Sequence, residues 1–114
     1  MAIQIITDHI TPDAVKQIAA DTFIDMAKAV IDIQRGVMAI GGELHADAEA
    51  VLLQQGSQST DLWGINLYPE QPNDTWIEFD SMINIRPQQG NRSCDIEDAI
   101  VRERIRAVVE KLTT

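Results

Sequence analysis

Residues 37–56 read V-M-A-I-G-G-E-L-H-A-D-A-E-A-V-L-L-Q-Q-G, and the fold turns on how they are read. Glu43, His45, Asp47 and Glu49 take every second position, with Leu44, Ala46, Ala48 and Ala50 between them. Strict alternation over eight residues marks a strand with one wet and one buried face. On that reading the four ionisable groups share a surface. The segment 47–56 also fits a capped two-turn helix ending at Gly56, which its alanines and Glu49 favour. The strand is carried forward because the alternation continues upstream. Gln55-Gly56-Ser57 also looks like a loop before another strand-like run.

Working outward, residues 2–6 form a short apolar run suited to an edge strand. Thr11-Pro12-Asp13 opens a helix: Thr11 can cap, Pro12 needs no amide partner, and Asp13 complements the dipole. Val15, Ile18, Ala19, Thr22, Phe23 and Met26 then recur at three and four. Residues 27–33 change to period two, and Gln34-Arg35-Gly36 supplies a hairpin turn. Gly41-Gly42 predicts a bulge or a close backbone approach. Trp63, Ile65 and Leu67 share one face of a strand over 62–69, which a Pro/Asn/Asp loop over 69–75 follows. Residues 76–86 alternate again, with Ile77, Phe79, Ile83 and Ile85 opposed to Glu78, Asp80, Asn84 and Arg86. Asp95 or Asp98 starts a last helix with Ile100, Ile105, Val108, Val109 and Leu112 as its seam.

The expected fold is α+β, in the order β-α-β-β-β-β-α. It is an antiparallel four- to five-stranded meander with both helices on one face. The other face would carry the acids, exposed to solvent or covered by a partner.

The 114 residues are expected to form a single domain, 1–114, able to fold without staples. Cys94 is the only cysteine, which excludes an internal disulfide and an all-cysteine metal cluster. No signal peptide and no transmembrane run is visible, so a soluble, cytoplasmic protein without membrane association is expected. The net charge is −9. Residues 1–85 hold three bases against thirteen acids, and residues 86–114 hold six against five. Such an acidic body argues against nucleic acid as a partner.

The motifs A-I-G-G-E-L-H-A-D-A-E (39–49), D-L-W-G-I-N-L-Y-P (61–69) and W-I-E-F-D-S-M-I-N-I-R-P-Q-Q-G-N-R-S (76–93) resemble a family of small bacterial proteins. That family is catalogued only as a domain of unknown function. The resemblance covers nearly the whole chain and implies a stand-alone member. It implies no activity, and Cys94 is not part of the pattern.

Four constellations carry chemistry. His45 and Asp47 on one strand face would sit about 6.5–7 Å apart at Cα, which suits a shared divalent metal ion. Glu43 or Glu49 on the same strand, or Glu78 or Asp80 across the sheet, would add a third ligand. The plainer reading is a wet face with His45 paired to a carboxylate. Arg86, Asn91, Arg92 and Ser93 form a loop before a helix that could clamp an anion. Asp95, Glu97 and Asp98 compete there, so a structural loop is favoured. A Cys94 nucleophile would be disfavoured by the surrounding acids. Trp63, Tyr68 and Trp76 would pack beneath a loop or line an interface. No phosphate loop, nucleophile elbow or dinucleotide fingerprint occurs.

The favoured function is a small binding or accessory protein without catalytic machinery. It would meet another protein or its own copy through the acidic sheet face or the Trp/Tyr/Pro loop. The alternative is a divalent-metal protein using His45 and Asp47, with hydrolysis as one activity such a site could support.

Overall fold

A computed structural model describes residues 2–113. In chain order the elements are β1 (Gln4–Ile6), α1 (Pro12–Asp21), β2 (Ala27–Asp32), β3 (Val37–Ile40), α2 (His45–Gln54), β4 (Leu62–Leu67), β5 (Ile77–Glu78) and α3 (Ala99–Leu112). The strands form one sheet in the order β1-β3-β2-β4-β5, and every pairing is antiparallel. This is the expected α+β class. It is not a plain meander, because β3 lies between β1 and β2, and a helix separates β3 from β4 in the chain.

The period-two pattern sorts the two faces as expected. Ala29, Ile31, Met38, Ile40, Trp63, Ile65 and Leu67 join one core with Val15 and Ala19 of α1 and Ile105, Val109 and Leu112 of α3. Both expected helices therefore cover one face. Thr11 caps α1 through the Ala14 amide at 3.1 Å, and Asp98 caps α3 through the Ile100 amide at 2.8 Å. Ile100 is an exception to the expected seam and stands in solvent.

The central correction concerns residues 45–54, which are helical. Glu43, His45, Asp47 and Glu49 do not share a strand face. The physical reasons lie at both ends of the segment. Gly41 and Gly42 take positive φ (111° and 76°) and end β3. A Cβ on Gly41 would lie 2.8 Å from the Ala2 carbonyl oxygen, so the close backbone approach read from the glycine pair is real. At the far end the Ser57 amide donates to Leu52 O (3.0 Å) and the Gly56 amide to Leu53 O (3.1 Å). Gly56 has φ 98°, and this is a Schellman stop. Between them His45, Ala48 and Leu52, spaced three and four, form the buried stripe.

That stripe packs on Val30, Val37, Ala39 and Leu62, the second core. The sheet face expected to be acidic and open is thus covered by the chain's own α2. Asp32, expected on that face, is fully buried. Its carboxylate accepts from Ser57 Oγ (2.6 Å) and from the Gln34 and Arg35 amides (2.9 Å each). It ties the β2–β3 turn to the end of α2.

A second correction concerns residues 76–86. Only Ile77 and Glu78 are strand, and 3-10 turns follow at Met82–Asn84 and Pro87–Gln89. Gly64 on β4 explains the departure. A Cβ there would lie 2.6 Å from Ser81 Cβ, so the chain after β5 lies directly on bare glycine backbone. Ile83 consequently joins the α2 side of the core, whereas Ile77 and Phe79 pack on the other side.

Candidate functional site

The sequence-predicted residues do not all come together in this fold. Glu43 and Asp47 are exposed, one before α2 and one in its first turn. Glu49 pairs with Arg86 at 3.6 Å. Arg92 is exposed, and its backbone amide donates to Glu97 Oε2 at 2.9 Å. That carboxylate also accepts from Ser93 Oγ (2.8 Å), and Ser93 and the Arg92 amide hold its pKa below the ordinary value. The loop over 86–93 is thus held by Glu97 and by Asn91. The Asn91 amide group donates to the Asn84, Ser93 and Asp95 carbonyls. Among the described residues no three His, Cys, Asp or Glu side chains gather as a metal-holding group.

Arg86 is largely buried at the edge of β4. Its Nη2 donates to Leu62 O and its Nε to Ile83 O (3.0 Å), and its guanidinium lies 4.8 Å from the Trp63 ring centre. Burial lowers its pKa and Glu49 opposes that. Trp76 meets Pro12, Val15 and Pro69 in a shallow cleft of about 280 Å³, mostly packing beneath the loop.

His45 and Asp80 are brought together, joined by Asn66 and Lys28, which sequence reasoning had not singled out. The four residues line a cleft of about 330 Å³ where the start of α2 meets β2, β4 and the chain after β5. The register explains the company: Lys28 pairs with Asn66, and Asn66 pairs with Glu78, across three strands. The alternation of Asn66 with Trp63, Ile65 and Leu67 is the sequence signal for it. That pattern puts its amide on the α2 side of the sheet, under His45.

His45 is 6% exposed, and its Nε2 lies 2.8 Å from the Ile65 carbonyl oxygen. A carbonyl only accepts, so that nitrogen carries the proton. Burial, the largest influence, lowers the His45 pKa; the Lys28 charge adds to this, and the Ile65 carbonyl, the Asn66 side chain and the Asp80 charge oppose it. The ring is therefore neutral near pH 7, and Nδ1 keeps a free lone pair.

Asn66 is 4% exposed. Its Nδ2 donates to Glu78 Oε1 (2.8 Å) and to the Asp80 carbonyl (3.2 Å), so both amide hydrogens are used. Both partners are acceptors, which fixes the orientation of the amide. Its Oδ1 is buried and has no hydrogen-bond partner. A buried carbonyl left without a donor costs roughly 1–3 kcal/mol, and Trp63 Nε1 and Arg86 Nη1 are likewise buried without a partner. The Asp80 carboxylate also has no hydrogen-bond or ion-pair partner among the described residues.

The mouth of the cleft is apolar. Leu44 is 59% exposed and Met82 79% exposed, and both line it with Ile83. Leu44 is the N-cap of α2 and has no side chain able to cap it, so the opening amides lack a side-chain acceptor. Cys94 also lines the cleft, and its carbonyl is held by the Ser81 amide at 3.0 Å.

Comparison with known proteins gives one family. Its model matches residues 4–112 and is described as a protein of unknown function, DUF5674. No curated protein and no solved structure matches the chain.

Proposed function

We propose, for a chain that belongs to the DUF5674 family, a binding role without catalytic machinery, in which a small ligand is held in the cleft between α2 and β4. The observation that carries this reading is the gathering of Lys28, His45, Asn66 and Asp80, from four separate pieces of the chain, around one cleft. Asn66 is fixed in place by two hydrogen bonds from its amide nitrogen, and its side chain also interacts with His45. Around it stand the other marks of a ligand site: a concave volume of about 330 Å³, a few convergent polar groups and an apolar rim. The neutral His45 ring and the exposed Asp80 carboxylate line the same cleft.

This replaces the acidic sheet face as the place where a partner would be met, since α2 covers that face. An accessory role alongside another protein remains compatible with the cleft, whose rim residues Leu44 and Met82 stand outside both cores.

A panel of small probes tests the reading: acetamide, ethanol, n-butylamine and isobutyrate, titrated into isotopically labelled protein. Probes carrying donors are expected to shift the Asn66 side-chain amide and the His45 ring resonances, and Asn66→Ala is expected to abolish saturable binding. If no donor-bearing probe moves these resonances saturably, the cleft is not a binding site.

A further inference from the structure

We propose that two copies of this chain associate through the outer edge of β1, each strand pairing with its own counterpart so that the two sheets become one. The inference does not depend on the cleft. Among the described residues β1 has a strand neighbour on one side only, β3. The ladder fixes which of its backbone groups are free. The Gly41 amide donates to Lys28 O at 3.0 Å, so the backbone groups of Val37 and Ala39 point at β2, and those of Met38 and Ile40 point at β1. Gln4 and Ile6 lie opposite Ile40 and Met38 and therefore bond inward. Ile3 and Ile5 present their N–H and C=O groups outward. Outside the β1–β3 ladder, residues 2–9 make no backbone hydrogen bond with another described residue.

The two edges of the sheet differ. At the far edge β5 has two residues and carries Glu78, and the side chains of Asn84 and Arg86 occupy the β4 backbone beyond it. β1 has none of the devices that keep an edge from pairing. Residues 2–7, A-I-Q-I-I-T, hold no lysine, no proline and no charge, and no bulge interrupts the register.

A second copy is the occupant that fits this edge. A strand pairs antiparallel with its own copy about a two-fold axis, and such a contact closes. A foreign strand takes its specificity from side-chain pockets along the edge, whereas the clefts described above lie at α2, β4 and Trp76. The chain carries a net charge of −9, so two copies meet best where no charge stands, as along β1. An axis at Gln4 sets Ile3 opposite the partner's Ile5, where both backbone bonds are exchanged. It sets Gln4 opposite the partner's Gln4, where side chains come closest. An axis at Ile5 would instead lay Asp8 against the partner's Ala2. Ile3 and Ile5 are half-buried beside the second core, and pairing about Gln4 continues that core across the axis. Gln4 is exposed on the other face.

Sedimentation velocity of the whole chain tests this, from about 1 μM to about 1 mM, the range suited to a small interface. A concentration-dependent dimer is expected. Ile5→Pro removes an outward N–H without costing a ladder bond, and is expected to weaken the dimer about tenfold while thermal unfolding stays cooperative. Gln4→Lys and Gln4→Glu each set like charges opposite one another and are expected to weaken it about tenfold, and their equimolar mixture is expected to restore it. A monomer at the highest concentration overturns the proposal. So does a dimer that tolerates both Gln4 variants, or one that mixing them does not restore. If Ile5→Pro fails to fold, the Gln4 variants decide alone.

Discussion

Asn84 holds Gly64 by both of its backbone groups: the Gly64 amide donates to Asn84 Oδ1 at 2.8 Å, and Asn84 Nδ2 donates to Gly64 O at 2.9 Å. The carboxamide thereby takes the place of a neighbouring strand. β5 pairs with β4 only at Asn66 and Leu67, and beyond that point the outer edge of β4 would be bare. Asn84 Nδ2 also reaches Cys94 O at 3.1 Å, so one fully buried side chain ties three pieces of backbone together.

Asn84→Ala should therefore be costly out of proportion to its size. It orphans a buried amide and a buried carbonyl on Gly64, each worth roughly 1–3 kcal/mol. A loss of about 3 kcal/mol in urea unfolding is expected, a large share of a typical domain's stability. Asn84→Asp should be no better at neutral pH, because an oxygen then faces the Gly64 and Cys94 carbonyls. Its deficit relative to wild type should shrink on acidification, when the protonated carboxyl can donate. A loss below about 1 kcal/mol for Asn84→Ala would show that the edge is held elsewhere.

Arg86 completes the same edge one step further along, donating to Leu62 O and Ile83 O and stacking on Trp63. Its ion pair with Glu49 is longer, at 3.6 Å, and partly wet. Backbone capping and stacking should therefore outweigh the charge pair. Arg86→Ala is expected to cost about 3 kcal/mol, Arg86→Lys somewhat less, and Glu49→Gln under about 1 kcal/mol. Chemical denaturation of the three variants gives the order. Glu49→Gln matching Arg86→Ala would mean that the ion pair, and not the strand edge, is what Arg86 serves.

Much of this architecture was legible in the chain, and the failures share one cause. Thr11, Gly36, Asp98 and the Trp63/Ile65/Leu67 alternation announced their elements because local physics and tertiary packing agree there. At residues 43–49 two periods overlapped. An every-second-residue pattern also places apolar groups at 48 and 52, and Gly56-Ser57 supplied the helix stop that the strand reading took for a loop. At residues 79–85 the alternation was genuine, but strand pairing ends at Glu78. Gly64 instead lets Ser81 settle onto its backbone, which no periodicity in residues 76–86 reveals. The candidate site was half visible: His45 and Asp80 stood out by their chemistry. Asn66 and Lys28 became meaningful only once the register placed them in one row.

His45 offers the sharpest test of the site's electrostatics. Burial lowers its pKa from the ordinary 6.5, and the neutral ring donates to Ile65 O. The unfolded chain therefore takes up a proton at this position before the folded protein does. The sign follows directly: the stabilisation is complete above about pH 6.5 and is lost as pH falls through and below that value, with a slope of at most about 1.4 kcal/mol per pH unit. His45→Gln keeps an N–H donor for Ile65 O and removes the titration. Unfolding free energies measured from pH 7.5 to pH 5 should thus show wild type losing its advantage over His45→Gln on the acid side. Two parallel curves would mean that the imidazole titrates alike folded and unfolded. The ring lining the cleft would then not be held neutral by burial.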